Sequence, residues 1–320
     1  MNTRSEFDFL NNLKSKYTLL HVGDDCAVVP KDSDRDLLLT TDMLIEDVDF
    51  RLEWTTPELL GRKTLAVSLS DIAAMGGEPK WAMLSIAVAE NLWKTDFVDR
   101  FYGGWFEVAN EFNVELVGGD ISRSPDKLVI DSIAGGEVAK GKAILRSGAK
   151  PDNAIYVTGT LGGAAGGLKL LERGFEITND LHDLTANLVL RQLNSIPQLT
   201  MANILQSLSI LTSMIDLSDG LSSDLMHICH ESSVGAQIYA DLLPINDDLQ
   251  NYFHSDDYFE MALDGGEDFE LLFTVSEKNI SLLENLPVTR IGEMTKNPGV
   301  IELIRNGKPE ILQPKGYRHF

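Results

Sequence analysis

Acidic side chains recur where this sequence turns on glycine. Asp24 and Asp25 follow Gly23, Asp120 follows Gly118-Gly119, Asp219 precedes Gly220, and Glu267 and Asp268 follow Gly265-Gly266. Asp42 closes the run 37–41, and Asp216 lies in the short run 214–217. Glycine lets a backbone turn sharply and approach a ligand closely. Carboxylates supply the hard oxygen atoms that Mg²⁺ prefers, and Mg²⁺ commonly bridges them to substrate phosphates. Any one of these turns reads equally as an ordinary Gly-Asp turn. Asp71 is different. It sits in the apolar stretch 65–77, LAVSLSDIAAMGG, about one turn before the glycines that close a helix. The carbonyls at a helix C-terminus already make that end negative, and a buried unpaired charge is costly. Asp71 therefore either caps the chain locally or faces a cation.

These side chains need a frame. Thr56 and Pro57 predict a helix N-cap and first residue, with Glu58 in the first turn and Gly76-Gly77 at the end. Leu65, Ala66, Leu69, Ile72, Ala73 and Met75 give this helix a broad apolar face, so it is expected to be buried. Further helices are predicted at 6–14, after Thr95, near 168–172, through 180–212, and up to about 231. Strands are predicted at 26–29, 37–41, 81–88, 114–117, 127–134, 154–158, 214–217, 237–240, 270–275 and 288–291. The runs 300–304 and 310–312 flank Asn306-Gly307, a hairpin signal. The stretch RSGAKPDN at 146–153 has the composition of a linker. The expected architecture is α/β (α+β), with domains at 1–148 and 149–320, each a sheet packed with helices.

The 320 residues suffice for one large or two ordinary domains. A net charge of −22 argues against nucleic acid or an anionic membrane as partner. It also poses a question for any phosphate substrate, which would be repelled unless cations intervene. No run reaches membrane-spanning length, and MNTRSEFDFL lacks the apolar core of a signal peptide, so the expected location is cytoplasmic. Cys26 and Cys229 are far apart and read as two buried thiols.

Ordinary nucleotide motifs are absent. GTLGGAAGGLK, from 159, has Leu168 after Gly167 where a Walker loop needs Lys, so it reads as a packing turn. Arg146 offers a planar fork suited to phosphate oxygens, or is a solvated linker charge. His227 and His230 flank Cys229 at helical spacing, but no further nitrogen or sulfur ligands lie nearby for zinc. The acidic loop Glu46-Asp47-Val48-Asp49 reads equally as a solvated surface. No nucleophile elbow appears.

A series of blocks resembles a known family. GDDCAVV at 23–29, TTDMLIEDVDF at 40–50, KTLAVSLSDIAAMGG at 63–77, VGGD at 117–120, ILRSGAKPDN at 144–153, IDLSDGLSSDL at 215–225, LDGGEDFELLFTV at 263–275 and the terminal KGYRHF are similar to the thiamine-monophosphate kinase family. That family belongs to the aminoimidazole-ribonucleotide synthetase-like superfamily. The resemblance implies two α/β domains, a homodimer formed through the N-terminal sheet, and ATP with several Mg²⁺ ions between the domains. It implies Mg²⁺ positions at Asp25, Thr40, Thr41, Asp42, Asp71, Asp120, Asp216 and Asp219, with Asp71 and Asp42 most critical. Gly119, Arg146 and Ser218 match ATP contacts. Asp49, Glu267 and Tyr317 match thiamine-phosphate contacts, although the family usually carries His at position 49. The implied reaction moves the ATP γ-phosphoryl to thiamine monophosphate. Two alternatives stay open: another ATP-using member of the superfamily, such as aminoimidazole-ribonucleotide synthetase, and a non-catalytic Mg·nucleotide-binding protein.

Overall fold

Thr56 accepts the Leu59 N–H at 3.3 Å and Pro57 follows it, so the chain enters a helix where the sequence places the N-cap. The computed structural model describes residues 6–175 and 184–319. The first half runs α1 (Glu6–Lys16), β1 (Ala27–Pro30), β2 (Arg35–Ile45), α2 (Pro57–Ala74), β3 (Glu78–Ala89), α3 (Glu90–Trp93), α4 (Phe97–Glu111), β4 (Glu115–Ser124) and β5 (Val129–Ala139). The second runs β6 (Asn153–Thr158), α5 (Gly163–Glu172), α6 (Leu184–Leu193), α7 (Leu199–Leu208), β7 (Leu211–Asp216), α8 (Leu221–Ser232), β8 (Gly235–Tyr239), α9 (Ser255–Asp264), β9 (Leu271–Ser276), β10 (Val288–Thr295), β11 (Ile301–Arg305) and β12 (Lys308–Ile311). The part of the expected helical region at 180–183 lies outside the described residues.

Strands β1 to β5 form one mixed sheet in the order β1-β2-β5-β3-β4, and β6 to β12 form another in the order β12-β11-β8-β10-β6-β9-β7. Pairs β3/β4 and β8/β11 are parallel, and the other described pairs are antiparallel.

Several local expectations change, among them β5 and β10, which run on to Ala139 and Thr295. Asp42 does not end its strand: β5 pairs β2 along its whole length, so β2 runs on to Ile45 with Asp42 opposite Ser132. Strand β4 continues through Gly118-Gly119-Asp120 because β3 pairs it in parallel as far as Ser124. A Cβ on Gly119 would run into the Leu84 carbonyl, so glycine here admits a close strand rather than a turn. Strand β7 begins at Leu211, inside the stretch expected to be helical.

Helix α2 touches β2, β3 and β5 on one side and β7, α6 and α7 on the other. Leu65, Leu69 and Ile72 share one core with Leu38 and Ile130 of the first sheet and with Tyr156, Met214 and Phe273 of the second. Each such aliphatic burial is worth about 2 kcal/mol. Alternation along the second sheet sends Ile155, Val157 and Leu272 to its other face, against Leu225 and Ile228 of α8.

Helices α2 and α4 cross in backbone contact. A Cβ on Gly61 would meet the Phe101 carbonyl, and one on Gly104 would meet the Glu58 carbonyl. Helix propensity alone would make Gly61→Ala stabilising by about 1 kcal/mol. The clash is expected to win, lowering stability by about 1–3 kcal/mol in urea unfolding. An unchanged or higher midpoint would mean the helices do not approach this closely.

Candidate functional site

The apolar residues of α2 bury it, so its few polar side chains must find partners inside the protein. Ser70 Oγ donates to Asp216 Oδ2 at 2.6 Å. Ser68 Oγ donates to Asp42 Oδ2 at 2.6 Å. The Thr40 hydroxyl donates to Asp71. Asp25, just before β1, accepts from Arg146: Nη2 lies 2.6 Å and Nε 3.2 Å from Oδ1. Asp24 accepts the Arg146 backbone N–H at 2.8 Å. Asp25, Asp71 and Asp216 are thereby gathered, with one oxygen of each within 4.8 Å of the others.

Mutual repulsion marks this cluster. Burial pushes the Asp71 pKa well above the carboxylate range, and Asp42, Asp216 and Asp25 push it further. Burial, then Asp25, raises Asp216 to about 7. Burial raises Asp42 to about 6. Asp25 is raised by burial and drawn back by Arg146. Its Oδ2 is buried without a hydrogen-bond partner. An all-oxygen donor set with one unsatisfied atom fits a hard divalent cation.

A second group lies around Glu267. Its N–H donates to the Ser218 carbonyl at 2.8 Å. Its Oε1 lies 2.7 Å from Lys63 Nζ, and the Gln192 side-chain amide donates to Oε2. The terminal segment is laid across the start of α8: the Gly316 N–H donates to Ser223 Oγ and the Tyr317 N–H to the Asp219 carbonyl, each at 3.1 Å. Burial, then Asp49, Glu267 and Asp219, raises the Tyr317 phenol pKa, which places these side chains in one electrostatic neighbourhood. Asp49 Oδ2 accepts the Ile45 N–H at 2.8 Å, so the residue closes its own turn. Burial raises its pKa, while that hydrogen bond, His319 and Lys63 oppose the shift.

Comparison with known proteins places the chain in a family. Residues 23–159 match the family model for the AIR synthase related protein N-terminal domain, and 150–304 match its C-terminal domain. The thiamine-monophosphate kinase of Buchnera aphidicola subsp. Acyrthosiphon pisum is 39% identical over 97% of this chain and 95% of its own. That of Escherichia coli K12 is 39% identical over 94% of this chain and 92% of its own. The chain belongs to the thiamine-monophosphate kinase family. A solved structure of AaThiL complexed with AMPPCP and TMP superimposes with a TM-score of 0.88 at 33% identity, covering 100% of this chain and 99% of that one. The hydrogenase maturation protein HypE shares the fold, at 18% identity and a TM-score of 0.69, over 91% of each chain.

Other residues that the family motifs single out are not among the three carboxylates gathered at Asp71. Thr41 donates to Asp131 Oδ1 at 2.8 Å. Asp120 is exposed on β4, with Ser122 Oγ 3.5 Å away. Gly119, also on β4, pairs with Leu84 of β3. Asp219 groups with Asp224 and His227. Asp224 accepts the N–H groups of Asp219 and Gly220 at 3.2 and 3.0 Å, which caps α8. Burial lowers the His227 pKa to about 4, so it stays neutral, and Cys229 and His230 join no metal-sized group among the described residues. The glycine-rich turn before α5 is already filled by a carboxylate. Asp268 accepts the N–H groups of Gly162 and Ala164 at 2.6 and 3.1 Å.

Sequence reasoning passed over Lys63, Ser68, Ser70 and Asp224. The first three carried the same signal as Asp71, a polar residue inside a stretch expected to be buried.

Without a cation, the clustered carboxylates hold protons more tightly folded than unfolded. The stability this lends is lost as pH rises through the folded values, about 7 for Asp216. Melting temperature of the metal-free protein is therefore expected to fall as pH rises from about 4 to about 7 and to level off above that, and saturating Mg²⁺ to flatten that slope. Parallel curves with and without Mg²⁺ would remove the cation from this cluster.

Proposed function

We propose that this protein transfers the γ-phosphoryl group of ATP to the phosphate of thiamine monophosphate, giving thiamine diphosphate and ADP. The observation that carries this reading is the gathering of Asp25, Asp71 and Asp216 from both halves of the chain, in a chain nearly co-extensive with thiamine-monophosphate kinases. Mg²⁺ held there would neutralise phosphate charge and align the two reacting anions.

The residues nearby suit that task. A phosphate monoester has its second pKa at about 6, so the acceptor is already ionised and needs no general base. Asp25, Asp71 and Asp216 are the proposed cation ligands, with Asp42 beside them. Thr40, Ser68 and Ser70 fix which carboxylate oxygens stay free by donating to the others. Arg146 is the proposed nucleotide contact. Burial opposes its charge, but Asp25 beside it holds the guanidinium ionised. Glu267, Asp49 and Tyr317 are the proposed acceptor contacts. Asp49 stands where the family usually has His, and its charge is offset by the nearby Lys63 and His319. Thr41, Asp120, Asp219, Gly119 and Ser218 remain proposals from the family motifs.

The same reading proposes a homodimer through the five-stranded sheet. Met43, Val117 and Ile121 of that sheet are 60%, 52% and 51% exposed, and β4 is an open edge. The proposed setting is the cytoplasm, which fits the free thiols of Cys26 and Cys229.

Product analysis after mixing protein, Mg·ATP and thiamine monophosphate is expected to give thiamine diphosphate in step with ADP. ATP consumption without thiamine diphosphate would sink the reading. Asp71→Asn is expected to cut turnover by at least about 100-fold while the protein stays folded by circular dichroism. Ile121→Asp is expected to shift sedimentation from dimer to monomer, and a monomeric unaltered protein would exclude the dimer.

A further inference from the structure

Lys63 is 2% exposed, on a helix whose neighbouring residues are mostly apolar. An ammonium buried there without a partner would be costly. Its partner comes from the other half of the chain. Glu267 Oε1 lies 2.7 Å from Nζ, and the Gln192 carbonyl lies 3.3 Å away. The Gln192 side chain donates to the second Glu267 oxygen. Both carboxylate oxygens are therefore held, one from α2 and one from α6. The backbone is held as well. Glu267 has φ +67°, a conformation non-glycine residues rarely adopt, and its N–H is tied to Ser218. Such strain persists where the surroundings over-determine a residue, and it clusters at ligand clamps. The Glu267 side chain is still 30% exposed, so lone pairs remain for a ligand.

Ser70 stands seven positions after Lys63, two turns on and on the same face of α2. It orients Asp216, as Lys63 orients Glu267. Seven helical residues span about 10 Å. One rigid helix thus fixes the spacing between the phosphate-handling carboxylates and Glu267. We infer that Lys63 is a specificity-determining positioning residue, holding the Glu267 carboxylate aimed at the nitrogen-bearing, cationic end of the acceptor, two helical turns along α2 from the carboxylates that face its phosphate. This rests on the thiamine monophosphate reading above. That acceptor carries a thiazolium charge and an aminopyrimidine donor, and an ionised carboxylate suits both.

The test compares Lys63→Met, Lys63→Arg and Glu267→Gln with the unaltered protein. Steady-state kinetics is paired with calorimetry of thiamine monophosphate in the presence of a non-hydrolysable ATP analogue. Lys63→Met is expected to raise KM and Kd for thiamine monophosphate at least about tenfold, with KM for ATP within about twofold and kcat within about threefold. Lys63→Arg should recover most of the loss. Lys63→Met should add little in the Glu267→Gln background, because the same ion pair is already gone. A thiazole phosphate, lacking the aminopyrimidine and the ring charge, should bind weakly and lose little more in Lys63→Met. Equal losses for both acceptors would assign Lys63 to the phosphate and overturn the inference. Unchanged KM and Kd, or a joint fall in kcat, ATP affinity and melting temperature, would overturn it too. If Lys63→Met does not fold, Lys63→Gln, which removes the charge but keeps a hydrogen-bond donor, takes its place and is read by the same KM and Kd. An unaltered protein that binds the acceptor without turning it over would defeat the functional reading, while the dependence of binding on Lys63 still decides the inference.

Discussion

Carboxylates enclosed side by side repel one another, and the centre of this protein is arranged around that repulsion. Asp25, Asp71 and Asp216 are brought within a few ångströms by elements that no local propensity would bring together. The fold limits the cost with hydroxyls and one guanidinium. Thr40, Ser68 and Ser70 donate to carboxylates, and Arg146 pairs with Asp25. These donors do not remove the conflict, since burial and neighbouring charge still raise the carboxyl pKa values. A divalent cation held there, as proposed, would resolve it, and the same cation would answer the question that a net charge of −22 poses for a phosphate substrate. Stability is given up where these carboxylates crowd together.

Helix α2 makes the arrangement possible. Its burial between the two sheets makes each of its polar side chains consequential, because each needs a partner from one half or the other. Asp71 reaches the hydroxyl of β2, Ser70 reaches the end of β7, and Lys63 reaches the turn before β9. The close crossing with α4 fixes how the helix lies on the first sheet, and the shared core fixes it on the second.

Much of this was legible in the residues. The start and end of α2, the terminal hairpin and most strands followed from caps, glycines and apolar periodicity. Asp71 stood out because a charge in a buried helix must be answered. Several strands ran further than the sequence indicated, β2 and β4 because glycines at 118 and 119 and a charge at 42 resemble strand ends until a partner strand supplies the hydrogen bonds. The partners of Ser68, Ser70 and Lys63 were not legible. Ser70 and Asp216 are 146 positions apart, and Lys63 and Glu267 further still, so only the packing of two sheets on one helix brings them together. The glycine-rich turn at 159 shows the converse. It reads as a packing turn, and its N–H groups are spent on Asp268.

The shared core also bears on how the chain is made. The five strands of the first sheet are complete once residue 139 has emerged from the ribosome, but the apolar side of α2 that packs on Tyr156, Met214 and Phe273 is still bare. It stays bare until β9 is synthesised. At about 5–20 residues per second that leaves a nascent half-protein displaying apolar side chains of α2 for several seconds or more. A newly begun chain is thus a natural client for chaperones, and premature termination near the middle of the message would release an aggregation-prone fragment rather than an idle domain.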